Sequence, residues 1–145
     1  MSVRSVVTSI LLIAVGGFGA QVALAQTTPP LYADLGGEAK VTAFIKDAVA
    51  LWEKNPVLAE AFQSADAERL QGQLVQQVCS LSGGGCTYKG RDMKSVHAGM
   101  DVTTAQFNAL AEDLQTAMTK NAVPFGAQNR LIALLAPMKR VIVTK

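Results

Sequence analysis

The chain has 145 residues, of which 50% are hydrophobic and 17% are charged, and its formal net charge is +2 at pH 7. This length accommodates one domain with a substantial core, not two. The small net charge provides no basic surface for nucleic acid and no polybasic patch for a membrane, and with a single histidine a zinc site would lack ligands.

The N-terminal stretch has the layout of a secretory signal peptide. Arg4 supplies a positive start, residues 6–18 are mostly apolar, and the small-residue site Ala-Leu-Ala lies at 23–25. A membrane-spanning helix needs about 20 apolar residues, and glycines and Gln21 interrupt this run. We therefore expect an exported, periplasmic protein without a membrane anchor after cleavage. The predicted segments are a signal peptide at 1–25, a linker at 26–30 and one domain at 31–145.

Apolar residues recur at steps of three and four along the remaining chain, which is typical of amphipathic helices. Ser64 or Asp66 is the expected N-cap of one helix and Thr103 that of another. Strand signals are confined to the short run at 141–143, so the predicted fold class is all-α. The predicted helices are a turn at 31–35, a long helix from 41 that stops near Pro56, a helix at 67–80, a short helix bearing His97, a helix from 104 that stops before Pro124, and a last helix at about 127–143 that is kinked or restricted at Pro137.

Two cysteines, Cys79 and Cys86, flank a glycine-rich turn. In an exported protein such a pair favours a disulfide. The alternative is two free thiols, one buried on a helix and one in a loop.

His97 is the single histidine, with Met93 four residues before it and Met100 three residues after it. These offsets place the three side chains on one side of a short helix. An imidazole framed by soft apolar side chains suits the iron of a haem group. The alternative is a core histidine that hydrogen-bonds a carbonyl.

Three motifs occur in a characteristic order: Leu-Tyr-x-x-Leu-Gly-Gly at 31–37, Phe62 ahead of the helix of Leu70, and Tyr88-x-Gly-x-x-Met-x-x-x-His97. Their order and spacing resemble those of group I truncated haemoglobins across nearly all of the predicted domain. Periodicity indicates only helices, whereas the resemblance implies a two-over-two helical sandwich around haem. Because no CxxCH motif is present, the cofactor implied is haem b, bound non-covalently.

The resemblance also implies roles for individual residues. His97 would be the proximal iron ligand, and Val49 would project toward the sixth coordination position. Arg69 and Lys94 would pair with the haem propionates, with solvated surface charge as the alternative. The residues expected to contact haem through apolar surface are Phe62, Leu70, Leu74, Val78, Met93 and Phe107.

Two positions depart from the family pattern. Group I members typically have a tyrosine where this chain has Val49, and a glutamine or similar donor where it has Leu74. Both donors hydrogen-bond the gas ligand in those proteins. Gln73 lies about 100° round the helix from Leu74, and it either turns into the pocket or is solvated. We therefore expect a five-coordinate iron, or one weakly bound by water or Gln73, in an apolar ligand pocket.

This pocket predicts a protein that reversibly binds a diatomic gas, with NO or CO favoured over O2. The alternative is an enzyme, an NO dioxygenase or a peroxidase-like protein with a redox partner, although the missing donors and acid–base group argue against it. A third hypothesis is a helical protein that has lost its haem. The oligomeric state stays open.

Overall fold

The computed structural model describes residues 30–145, so the predicted signal peptide and most of the linker lie outside the described residues. Within this range the chain is helical and forms no strand, which confirms the all-α class. No helix here is long and apolar enough to cross a membrane. The helices are α1 (Leu31–Asp34), α2 (Gly37–Trp52), α3 (Ala59–Phe62), α4 (Ala67–Leu81), α5 (Met93–His97), α6 (Thr104–Lys120), α7 (Phe125–Leu135) and α8 (Lys139–Ile142), with a 3-10 helix at Ala136–Met138 between α7 and α8.

Side chains cap the two helices for which caps were predicted. The Asp66 side chain accepts a hydrogen bond from the backbone N–H of Arg69 at 3.0 Å, so Asp66, not Ser64, is the N-cap of α4. Thr103 caps α6, and its reciprocal bonds with Gln106 complete a capping box. These contacts satisfy N–H groups that have no partner inside the first helical turn.

Helix α2 is the centre of the fold and packs against both α4 and α6. The buried residues of α2 recur at three- and four-residue steps, so they form one continuous apolar face. Trp52 is the last residue of this face. Its indole Nε1 donates a hydrogen bond to the Leu110 carbonyl at 3.2 Å, and its ring stacks on Phe62 with the ring centroids 5.5 Å apart. The buried residues of α2 are Val41, Phe44, Ile45, Ala48, Val49 and Trp52.

The C-terminal helix differs from the prediction at both ends. It begins at Phe125, two residues earlier than expected, because Pro124 is its N-cap and proline's fixed φ suits a helix start. It ends at Leu135, and the 3-10 helix that contains Pro137 separates it from α8. Proline has no N–H to donate to the preceding turn, which explains why the helix is interrupted there and not merely bent.

Candidate haem-binding site

The site is built around α5, the five-residue helix that ends at His97. A helix this short needs support from outside itself. Asp92 caps it, accepting hydrogen bonds from the Ser95 hydroxyl at 2.6 Å and the Ser95 N–H at 2.9 Å. The hydrogen bond from the Ser95 hydroxyl is the largest cause that lowers the pKa of Asp92, and the hydrogen bond from the Ser95 N–H is the second cause. Helix α8 also packs against α5.

The His97 ring is half-buried, and its Nδ1 atom lies 2.8 Å from the carbonyl oxygen of Met93. A carbonyl only accepts hydrogen bonds, so this contact requires the proton on Nδ1. Nε2 of the neutral ring then carries a lone pair. That is the tautomer in which histidine binds a metal.

Most of the residues predicted to contact haem are partly exposed to solvent. They lie on four helices, α3, α4, α5 and α6, and each leaves part of an apolar side chain uncovered by the chain. Among residues 30–145 no cluster of three His, Cys, Asp or Glu side chains could hold a bare metal ion. One imidazole with apolar side chains therefore fits an iron carried by an apolar ring, and haem is such a group. The half-buried predicted contacts are Phe62, Leu70, Leu74, Met93 and Phe107.

Val49 and Val78 differ from this group. Their exposed fractions are 1% and 3%, and both belong to the hydrophobic core. Val49 lies on α2 and Val78 on α4, and these two helices pack against each other. Their roles beside the gas ligand and the haem stay predictions. On the predicted ligand side, the apolar surface that α4 leaves uncovered belongs to Leu70 and Leu74.

The two predicted propionate partners, Arg69 and Lys94, are exposed. Across residues 30–145 the ion pairs join other side chains: Lys120 with Asp47, Arg130 with Asp34, and Lys145 with Asp101. Pairing of Arg69 and Lys94 with propionates therefore remains a prediction.

Gln73 is half-buried against the turn before α5. A Cβ atom built on Gly90 would lie 2.5 Å from the Gln73 Oε1 atom and would also collide with the Tyr88 hydroxyl. That hydroxyl donates to the carbonyl of Arg91 at 3.2 Å. Gln73 thus lies beside the Tyr88–Arg91 segment, and a side chain at position 90 would have to move the ends of the Gln73 and Tyr88 side chains.

Sequence reasoning missed one polar residue of the site, Gln77. It is 8% exposed, and its Nε2 atom lies 3.4 Å from the Met93 sulfur and 3.9 Å from the Met138 sulfur. This contact brings α4 and α5 together. The available signal was spacing, because Gln77 follows Leu70 by seven residues and Leu74 by three, which places all three on one helix face.

Cys79 and Cys86 are bonded to each other, with their Cα atoms 5.7 Å apart. Cys79 is buried at the end of α4, and Cys86 is exposed in the segment that leads to α5. The glycine turn between them packs closely: a Cβ on Gly84 would lie 2.6 Å from the Cys79 sulfur and 2.7 Å from the Tyr32 ring. The disulfide therefore ties α4 to the segment that carries His97.

Known proteins resemble this chain over the same region. The chain is 26% identical to the group 1 truncated hemoglobin GlbN of Mycolicibacterium paratuberculosis, over 79% of this chain and 84% of that protein. It is 25% identical to the group 1 truncated hemoglobin GlbN of a Nostoc species, over 79% of this chain and 98% of that protein.

Among solved structures, the Fe(III) form of truncated hemoglobin from Tetrahymena pyriformis superimposes with a TM-score of 0.76 at 23% identity, over 79% of this chain and 98% of the other. This likeness establishes the two-over-two globin fold. The family model of the bacterial-like globins matches residues 30–144. The chain therefore belongs to the bacterial-like globin family, as a truncated globin.

Proposed function

We propose that this chain is a group 1 truncated globin that binds haem b non-covalently and takes up a diatomic gas reversibly. Family membership implies a haem cofactor and a gas ligand. The observation that carries the proposal is the Nδ1 contact of His97 with the Met93 carbonyl, which leaves Nε2 available. When bound, haem supplies the iron at which a gas molecule is held.

The chain's own residues then have separate tasks. His97 would hold the iron through Nε2, and its contact with Met93 keeps the ring oriented. Leu70, Leu74 and Phe62 exclude water from the site with their apolar surfaces. These three side chains therefore keep water out of the site and take no part in proton transfer.

Ligand preference follows from the lack of donors at Val49 and Leu74. A hydrogen bond to a charged acceptor in a dry site contributes about 1.5–3 kcal/mol, which corresponds to one to two decades of affinity at about 1.4 kcal/mol per decade. O2 gains more partial negative charge than CO or NO on binding, so it loses most when such donors are missing. We infer that the site favours NO and CO over O2, relative to globins with polar residues at both positions, and that the iron is five-coordinate.

The same site argues against the enzymatic alternative. Peroxidase-like chemistry needs a group that moves a proton on the ligand side. Leu70, Leu74 and Val78 on the inner face of α4 do not titrate, and Gln73 and Gln77 are neutral amides. We therefore propose gas binding as the function, with NO dioxygenation as the outcome that the following experiment must exclude.

Resonance Raman spectroscopy of the haem-loaded protein tests the assignment. We expect an iron–histidine stretch in the ferrous form, and we expect His97→Gly to lose it while Met100→Leu keeps it. A wild-type spectrum without this stretch contradicts the proposal. In parallel, NO is added to the air-equilibrated ferrous protein together with a reductant that returns ferric haem to the ferrous state, and nitrate formation over many turnovers, not a single equivalent, would favour the enzyme.

We also propose that the protein is exported to the periplasm. The signal-like layout of the first 25 residues supports this, and so does the Cys79–Cys86 bond, which an oxidising compartment favours. Mass spectrometry of the protein recovered from periplasm and cytoplasm should find a mature chain that begins at Gln26. A full-length chain confined to the cytoplasm would contradict export.

A further inference from the structure

Charge is distributed unevenly along the chain. Within residues 30–145, the segments 88–102 and 139–145 together have six lysines and arginines but only two acidic residues, Asp92 and Asp101. The rest of this range has six lysines and arginines and nine acidic residues. The side chains of the two segments therefore carry a net charge of +4 at pH 7, and those of the rest a net charge of −3. The small total charge conceals a strongly basic part.

The two basic segments are neighbours in the fold. Helix α8 packs against α5, and the backbone N–H groups of Thr144 and Lys145 donate to the Val102 carbonyl at 2.9 and 3.2 Å. The Lys145 ammonium also pairs with the Asp101 carboxylate at 2.7 Å. Both segments thus contribute to one region of the surface, which we call the α5–α8 face (residues 88–102 and 139–145).

The positive charge of this face is turned to solvent. Across residues 30–145 the ion pairs include only one of its cations, Lys145. The Asp92 carboxylate accepts hydrogen bonds from Ser95 within α5. Even when Lys94 is assigned to a haem propionate, three exposed cations remain without a carboxylate partner. The exposed cations outside the ion pair are Lys89, Arg91, Lys94 and Arg140.

The same face also exposes apolar side chains. Met100 is 47% exposed and follows α5 directly, where its N–H donates to the His97 carbonyl at 3.1 Å. Val141 is 45% exposed and follows Arg140 on α8. Apolar side chains among charged ones are the usual composition of a protein–protein interface. This composition suits a protein surface better than a small anion.

The proposed function needs a source of electrons. Reversible gas binding uses ferrous haem, and air slowly converts ferrous haem to the ferric form. The two cysteines are already bonded to each other, so the part of the chain that the structure describes has no free thiol to return the electron. One electron for each ferric haem must therefore come from another molecule.

We propose that the α5–α8 face docks an acidic protein that donates one electron to the haem. The reduced donor loses one electron and ferric haem gains it, becoming ferrous, and no proton is transferred. The face includes the helix that carries His97, the proposed iron ligand. Complementary charge raises the rate at which an acidic donor reaches this face. The proposal rests on the proposed gas-binding function.

Charge reversal on this face tests the docking. Ferric haem-loaded protein is mixed without oxygen with reduced flavodoxin, an acidic one-electron donor, and the Soret band reports the change to ferrous haem. We expect the wild-type rate to fall with added salt, and Lys89→Glu/Arg140→Glu to lower the second-order rate constant about tenfold. The matched control Lys46→Glu/Lys54→Glu reverses two exposed cations elsewhere and should change it by less than about twofold.

A second readout locates the docking surface without electron transfer. Oxidised flavodoxin is added to the 15N-labelled CO form, and changes in the amide chemical shifts are mapped on the fold. We expect the largest changes in residues 88–102 and 139–145, and we expect them to disappear at high salt. Largest changes elsewhere on the chain overturn the proposal.

The remaining outcomes also decide. Both double variants should bind CO as wild type does, because none of the four residues is a predicted haem contact. Equal reduction rates in the two double variants, with CO binding intact, overturn the docking face and leave gas binding in place. Tighter binding to phosphatidylglycerol vesicles than to flavodoxin assigns the face to a membrane surface and also overturns the proposal. A wild-type chain without a Soret band after hemin loading contradicts the proposed function itself, and the electron transfer with it.

Discussion

His97 and Met93 form one hydrogen-bonded unit, because the Nδ1 atom of the imidazole lies 2.8 Å from the Met93 carbonyl four residues earlier. The helix therefore sets the orientation and the tautomer of its own terminal histidine. Asp92, which caps the same helix, holds the N-terminal end of this unit through Ser95.

Removing the imidazole should abolish axial coordination without unfolding the chain. His97 is half-buried, and its ring makes one hydrogen bond in the structure, so His97→Gly should retain helical circular dichroism. We expect hemin affinity to fall by at least about tenfold, the scale on which even outer-shell partners of metal ligands act. Free imidazole should restore the Soret band. A variant with unchanged absorption and coordination would refute the assignment of His97.

A donor introduced on α4 should increase O2 retention. Leu74 is half-buried, so Leu74→Gln can be accommodated without rebuilding the core. One added hydrogen bond of about 1.5 kcal/mol should slow O2 dissociation roughly tenfold. Flash photolysis and stopped-flow mixing measure the O2 and CO rates, with exposed Gln76→Leu as the control. Equal slowing of both gases would indicate a change in access, not a hydrogen bond.

The disulfide should stabilise the fold. The chain-entropy relation for so short a loop gives about 2–3 kcal/mol, and Cys79 and Cys86 close a loop with a sequence separation of 7. Urea unfolding with and without dithiothreitol should show this loss in wild type. The double variant Cys79→Ala/Cys86→Ala should not respond to the reductant. Because the bond ties α4 to the segment before α5, hemin should also dissociate faster from the reduced protein.

The core on α2 should be sensitive to truncation. Phe44 is 0% exposed, whereas Phe125 is 71% exposed. Truncating a buried phenylalanine typically destabilises a protein by about 3–5 kcal/mol, so Phe44→Ala should lower the free energy of unfolding by this amount. Phe125→Ala should change it by less than about 0.5 kcal/mol. Similar effects at both positions would show that the assigned core is wrong.

Asp47 should make stability depend on pH in the acid range. Its carboxylate accepts hydrogen bonds from Lys120 and Asn121, both at 2.7 Å, and the Lys120 bond is the main cause that lowers the pKa of Asp47. Because the folded pKa lies below the unfolded value, the stabilisation is complete above the unfolded pKa of about 3.9 and disappears as pH falls through the folded pKa.

Urea unfolding of wild type and Asp47→Ala across the acid range measures this effect. Wild type should be the more stable protein at pH 7, and the difference should shrink at low pH. A difference independent of pH would mean that the carboxylate charge does not contribute.

Local features could be read from the chain directly. The cap at Thr103 and the helix that stops before Pro56 depend on neighbouring residues, so composition and spacing were enough to predict them. The same signals left two alternatives each for the other local features, Ser64 or Asp66 as the cap of α4 and a disulfide or free thiols for the cysteines, and the structure has Asp66 and the Cys79–Cys86 bond. The motif order that ends at His97 also sufficed to predict the two-over-two globin fold through its resemblance to truncated haemoglobins, and the similar solved structures confirm that fold.

Contacts between distant segments required the folded chain. Periodicity shows which face of α4 is apolar, but it does not say that Val49 of α2 and Val78 of α4 are buried in the core while Leu74 stays half-buried. Nor does it reveal the surroundings of Gln77, whose partners Met93 and Met138 are 16 and 61 residues away along the chain. A side chain's hydration and its hydrogen-bond partners depend on which helices approach it, and that approach is a property of packing.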